Sequence, residues 1–88
     1  VGDGNFHFGY LIDPNSAEER TKAEAMNHTL VARALSMGGT CTGEHGVGIH
    51  KMGFLLDETG AGAVDMMRAI KRALDPKNIL NPGKIFAM

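Results

Sequence analysis

The chain has little sulfur chemistry to offer: a single cysteine, Cys41, stands among its 88 residues. One cysteine forms no internal disulfide, and without a Cys-x-x-Cys pair there is no thiolate zinc site, so Cys41 reads as a small packing residue. Excess charge is also lacking. Nine basic residues stand against ten acidic ones, which leaves no basic field to hold the phosphates of a nucleic acid. No apolar run approaches the ~20 residues that a membrane-spanning helix requires. Internal repeats and low-complexity tracts are missing as well. The glycines around position 46 follow neither the Gly-x-x-x-x-Gly-Lys-Ser/Thr pattern of a phosphate loop nor the strand–Gly-x-Gly-x-x-Gly–helix arrangement of a dinucleotide fold. Glu44-His45 is likewise not the His-Glu-x-x-His of a zinc protease, which needs both histidines on one face of a regular helix.

Length sets a further bound. A chain of 88 residues makes one small domain and buries only roughly 60–65% of its unfolded surface. It begins at Val1, inside the glycine-rich polar run Gly2-Asp3-Gly4-Asn5. That start predicts the C-terminal piece of a longer protein, with any site shared between the two ends of that protein incomplete here. Surface left uncovered in such a piece favours self-association.

What the sequence does contain is an α+β pattern. Residues 6–12 carry Phe6, Phe8 and Tyr10 at period two, which predicts a strand with His7 on the opposite face. Asp13-Pro14-Asn15 ends it, and Ser16 with Glu19 forms a capping box for a long helix. Ala23, Met26, Leu30, Val31, Ala34, Leu35 and Met37 make its apolar stripe, and Gly38-Gly39 ends it. A loop over 40–50 follows, entered by a short strand at 40–42, and then a helical turn at 51–56. After Gly60-Ala61-Gly62 a second helix presents Val64, Met67, Ile70 and Leu74, and Asp75-Pro76 stops it. Asn78 to Lys84 is a tight turn, with Ile85-Phe86 packing back. The methionines at 26, 37, 66 and 67 read as core, and His28 and His50 as surface or helix residues.

The most informative stretch is Gly43-Glu44-His45-Gly46-Val47-Gly48. A carboxylate and an imidazole stand side by side within glycines, where neither a core helix nor a core strand would place them. Glu supplies a hard metal ligand and His a ligand or proton acceptor. An isolated pair of this kind equally describes a surface turn. His7 by itself is more often a strand histidine bonded to a neighbour than a ligand, and Asp3 more often a turn former; only combined with the Gly-Glu-His-Gly loop do His7, Asp3 and Asn5 offer the further donor that a zinc-like divalent site needs.

Three ordered motifs carry a resemblance over the whole chain. Gly2-Asp3-Gly4-Asn5-x-His7, Gly38-Gly39-Thr40-x-Thr42-Gly43-Glu44-His45-Gly46-Val47-Gly48 and Lys71-x-x-Leu74-Asp75-Pro76-x-Asn78-Ile79-Leu80-Asn81-Pro82-Gly83-Lys84 resemble the C-terminal end of the FAD-linked 2-hydroxyacid dehydrogenases. That group includes D-lactate dehydrogenase, D-2-hydroxyglutarate dehydrogenase and the glycolate oxidase flavoprotein subunit, within the vanillyl-alcohol-oxidase type of flavoenzyme. The central wording looks most like bacterial D-lactate dehydrogenases.

The resemblance implies a fold in which one long and one shorter amphipathic helix pack on one or two short strands, as the C-terminal part of the substrate or cap domain. Residues 1–88 would then lack the FAD-binding domain. It implies His7 and Glu44 as ligands of a divalent metal, zinc or manganese, His45 as the base on the substrate α-hydroxyl, and Asn81 as a residue close to FAD. A further family His would fall immediately before Val1. The implied reaction is oxidation of a D-2-hydroxy acid, D-lactate favoured, to the 2-oxo acid, by metal-assisted proton abstraction and hydride transfer to FAD. By itself the 88-residue piece would be inactive. The competing reading is a noncatalytic α+β module that binds a metal or a partner. The implied location is the cytoplasm or the inner face of a membrane, without a transmembrane segment.

Overall fold

The computed structural model describes residues 3–88, so Gly2 of the opening motif lies outside the described residues. The chain divides into two compact units, Val1–Gly43 and Glu44–Met88.

The first unit is built on α1 (Ala17–Ser36). Ser16 caps it as its sequence predicts: the hydroxyl accepts the N–H of Glu19 at 3.2 Å. The reciprocal half of the capping box differs. Glu19 reaches past Ser16 to the N–H of Asp13 at 2.7 Å, because the N–H of Ser16 is already bonded to the carbonyl of Asp13 at 3.0 Å. Turn and helix start are thus tied together by a side chain that satisfies an amide outside the helix. At the other end the N–H groups of Met37 and Gly39 take the carbonyl of Ala34 at 3.2 and 2.8 Å, and the helix stops.

No strand is present among the described residues. Residues 6–12 have the side-chain alternation of a strand, yet a strand exists only as part of a hydrogen-bonded ladder, and no partner ladder forms here or at 40–42. The period-two expectation nevertheless holds for two of the aromatics. Phe8 and Tyr10 stack tilted at 58° with ring centroids 5.0 Å apart, and they share with Met26, Leu30 and Arg33 of α1 an open groove of about 510 Å³.

The second unit is a helix pair, α2 (Met52–Thr59) and α3 (Ala61–Leu74), joined by Gly60 alone. The N–H of Gly60 closes α2 on Leu56 at 2.8 Å, and its carbonyl opens α3 by accepting from Val64 at 3.2 Å. The expected helical turn at 51–56 is therefore a full helix, and the expected break at 60–62 shrinks to one residue. The two helices bury Phe54, Leu55 and Val64, each worth about 1.5–3 kcal/mol of apolar burial.

Much of the apolar patterning is left uncovered. No residue of α1 is buried. Met26, Met37 and Met66 are exposed, and along the α3 stripe exposure rises from 2% at Val64 to 78% at Leu74. Of the four methionines expected in a core, only Met67 is half-buried. Each helix can hide only the stripe that another element faces. Cys41 is buried, as expected of a packing cysteine.

Candidate functional site

The loop that carries Glu44 and His45 is shaped by its glycines in two different ways. Gly43 gives close approach: a Cβ placed there would stand 3.0 Å from the Cβ of Asn5, which would have to yield slightly. Gly46 is needed for conformation, with φ at 79°, a region closed to most L-residues. Beyond the loop, Val47 accepts the N–H of Lys51 at 3.3 Å and leads the chain into α2.

Glu44 and His45 are brought together. Oε1 of Glu44 lies 3.6 Å from Nε2 of His45, and both side chains are more than half exposed. A hard carboxylate oxygen and a borderline imidazole nitrogen, reachable from solvent and this close, form a donor pair suited to a divalent ion of the zinc or manganese type. The same pair can instead divide its work, with the carboxylate as ligand and the imidazole as proton acceptor. His7 and Asp3 are exposed residues of the first unit, in a segment without helix or strand, and Asn5 beside them is half-buried. His28, within α1, and His50, ahead of α2, are exposed as expected.

The Asn81 turn is built by a group that sequence reading takes only as a helix stop. Asp75 is buried, with 6% of its surface exposed. Its carboxylate accepts the N–H groups of Ile79 at 3.1 Å and Leu80 at 2.9 Å, and it is paired with the ammonium of Lys71 one turn back on α3. That same ammonium donates to the carbonyl of Leu80. Foremost the hydrogen bond from Lys71, and then the two amides, hold the Asp75 carboxyl below its ordinary range, against the opposing effect of burial. Asn78 and Asn81 follow in the left-handed region, at φ 51° and 47°, which asparagine tolerates better than other side-chain-bearing residues. The exposed carboxamide of Asn81 therefore sits on a turn set from α3. A Lys four residues before an Asp was the available sequence signal for the clasp.

Ile85 had no such signal. It adopts φ 72°, an outlier for a β-branched residue that costs of order 1–3 kcal/mol. Its N–H donates to the carbonyl of Gly48 at 2.7 Å, so the closing segment meets the Gly46-Val47-Gly48 end of the Glu44-His45 loop.

With this arrangement in view, comparison with known proteins assigns the class. The family described as FAD linked oxidases, C-terminal domain, matches residues 1–85, and the chain belongs to it. More particularly, it is 56% identical over 85 residues to the mitochondrial D-lactate dehydrogenase [cytochrome] of Arabidopsis thaliana, covering 97% of this chain and 15% of that protein. It is 46% identical over 88 residues to the probable mitochondrial D-lactate dehydrogenase of Danio rerio, covering 100% and 18%. To glycolate oxidase subunit GlcD of Bacillus subtilis it is 43% identical over 87 residues, covering 99% and 18%. The chain thus spans less than a fifth of the length of these relatives. The D-lactate dehydrogenases among these three are mitochondrial proteins of a plant and a fish, and the bacterial relative is a glycolate oxidase subunit, so the expected likeness to bacterial D-lactate dehydrogenases is not what these relatives display. No helix among the described residues is long and apolar enough to cross a membrane.

Proposed function

We propose that the complete protein is a flavin-dependent dehydrogenase that oxidises a D-2-hydroxy acid, D-lactate favoured, to the 2-oxo acid. Family membership supports the flavin and the class of substrate. The observation that carries the local reading is the Glu44–His45 pair at 3.6 Å in one glycine-bounded loop.

In this reading His7 and Glu44 are ligands of a divalent ion, His45 is the base, and Asn81 lies beside the flavin. When bound, the ion supplies Lewis acidity toward a hydroxyl oxygen and the flavin supplies a two-electron acceptor. The chain's own residues do the rest. Neutral His45 offers a ring-nitrogen lone pair to the α-hydroxyl proton and carries that proton as imidazolium. The carboxylate of Glu44 stabilises the positive charge that then develops on its neighbour. Gly46, at positive φ, lets the backbone turn sharply just after His45, so consecutive side chains serve two tasks from one loop. Asn81 presents a neutral carboxamide, able to donate and accept, from a turn that does not depend on the loop's own flexibility.

The test is flavin reduction in the complete purified protein. Anaerobic D-lactate, or another D-2-hydroxy acid, bleaches the flavin absorbance, and the L-enantiomer does not. A protein that binds metal but holds no flavin, or whose flavin no D-2-hydroxy acid bleaches, is a binding module, and the dehydrogenase reading fails.

A further inference from the structure

We propose that Ile85 is a positioning residue, whose backbone fixes the Gly46–Gly48 end of the loop and through it the aim of Glu44 and His45. This rests on the roles given to those two residues above.

The argument begins with a conformation that isoleucine does not choose. Ile85 sits at φ 72°, and the N–H of Phe86 bonds the carbonyl of Lys84 across it at 2.8 Å. Together these define a three-residue turn of the rare positive-φ kind, with a β-branched residue at its centre. Side-chain packing does not account for it, since Ile85 is 43% exposed. Such a conformation persists only where surrounding contacts over-determine it. Those contacts are present on both sides. Upstream, Asp75 and Lys71 at the end of α3 hold Ile79 and Leu80. Downstream, Arg68 of the same helix donates to the carbonyl of Ala87 while paired with Asp65 at 2.8 Å. Residues 79–87 are a strap anchored twice to α3.

A backbone bond ties the strap to the loop that carries Glu44 and His45, from the N–H of Ile85 to the carbonyl of Gly48 at 2.7 Å. Glycines at 46 and 48, with φ 79° and 56°, leave the loop many conformations of similar energy. A backbone of that kind needs anchors to aim a base. Anchoring its carbonyl to a strap whose own geometry is fixed by a helix removes that freedom. The strain at Ile85 follows from the direction its N–H must take to reach Gly48.

Two substitutions in the complete, flavin-loaded protein separate backbone from side chain. Ile85→Pro removes the N–H and locks φ near −65°, so it breaks the tie. Ile85→Gly keeps the N–H and takes positive φ without strain, so it preserves the tie while deleting the side chain. We expect Ile85→Pro to lower kcat with D-lactate about 10–100-fold, with KM and flavin content little changed. Amide hydrogen exchange over 44–48 should quicken while exchange in α3 stays the same. Ile85→Gly should restore both turnover and protection. Unchanged kcat and exchange in Ile85→Pro would overturn the proposal, and so would an equal loss in Ile85→Gly, which would place the effect in the side chain. Should Ile85→Pro fail to fold, the unmodified protein decides: protection of the Ile85 amide supports the tie, and exchange at the rate of an open peptide removes it. If the unmodified protein shows no turnover with any D-2-hydroxy acid, the dehydrogenase reading fails, while the exchange measurements still decide the tie.

Discussion

The carboxylate of Asp75 accepts the backbone N–H of Leu80 at 2.9 Å, so a residue that ends one helix also holds the turn after it. Lys71 lowers the pKa of Asp75 most, with the amides of Leu80 and Ile79 adding to it. A carboxylate depressed in the folded state stabilises fully above its unfolded value of about 3.8, and that contribution is lost as pH falls through the lower folded value. Asp75→Asn should therefore lower the melting temperature at neutral pH, and the gap to the unmodified protein should narrow below about pH 4. A gap independent of pH, measured by calorimetry, would leave Asp75 without this linkage.

Glu44 and His45 have different tasks in the proposed reaction, so their removal should leave different lesions. Glu44→Gln in the complete protein should reduce bound metal, measured by elemental analysis. His45→Ala should keep the metal and slow turnover by about 10²–10⁴-fold, the size of a lost general base. Equal metal loss in both variants, or near-normal turnover in His45→Ala, would contradict this division.

Asn81 combines an exposed carboxamide with φ 47°, and two variants distinguish these properties. Asn81→Gly keeps the backbone and loses the amide, so flavin should dissociate more readily on dialysis at an almost unchanged melting temperature. Asn81→Ala should weaken flavin retention and also cost about 1–2 kcal/mol for a left-handed L-residue. Full flavin retention in Asn81→Gly would make the turn purely structural.

Ser16 caps α1 through the N–H of Glu19. Ser16→Ala should cost about 1 kcal/mol of stability, seen as faster amide exchange in the first turn of α1 while α3 is unaffected. Ser16→Asp should recover it, because the carboxylate can accept the same N–H and also suits the helix N-terminus.

Local chemistry was legible wherever it acts over a few residues. Ser16 and Glu19 marked the start of α1, Gly38-Gly39 marked its end, and the 3.6-residue period revealed α3, because caps and amphipathic stripes depend on neighbours in sequence. The pairing of Glu44 with His45 needed only adjacency, and the motifs around them were sufficient to indicate the family. Contacts that depend on a distant partner were not legible. Residues 6–12 alternate like a strand, but a ladder requires a second strand, and periodicity cannot say whether one is present. Met26 and Met66 bear apolar side chains that only an opposing element could bury. Tertiary structure alone turned Asp75 from a helix stop into the anchor of the Asn81 turn, since that needed the amides of Ile79 and Leu80 to fold back onto it. It alone placed Ile85 at positive φ, a conformation its side chain disfavours, with its N–H bonded to the carbonyl of Gly48.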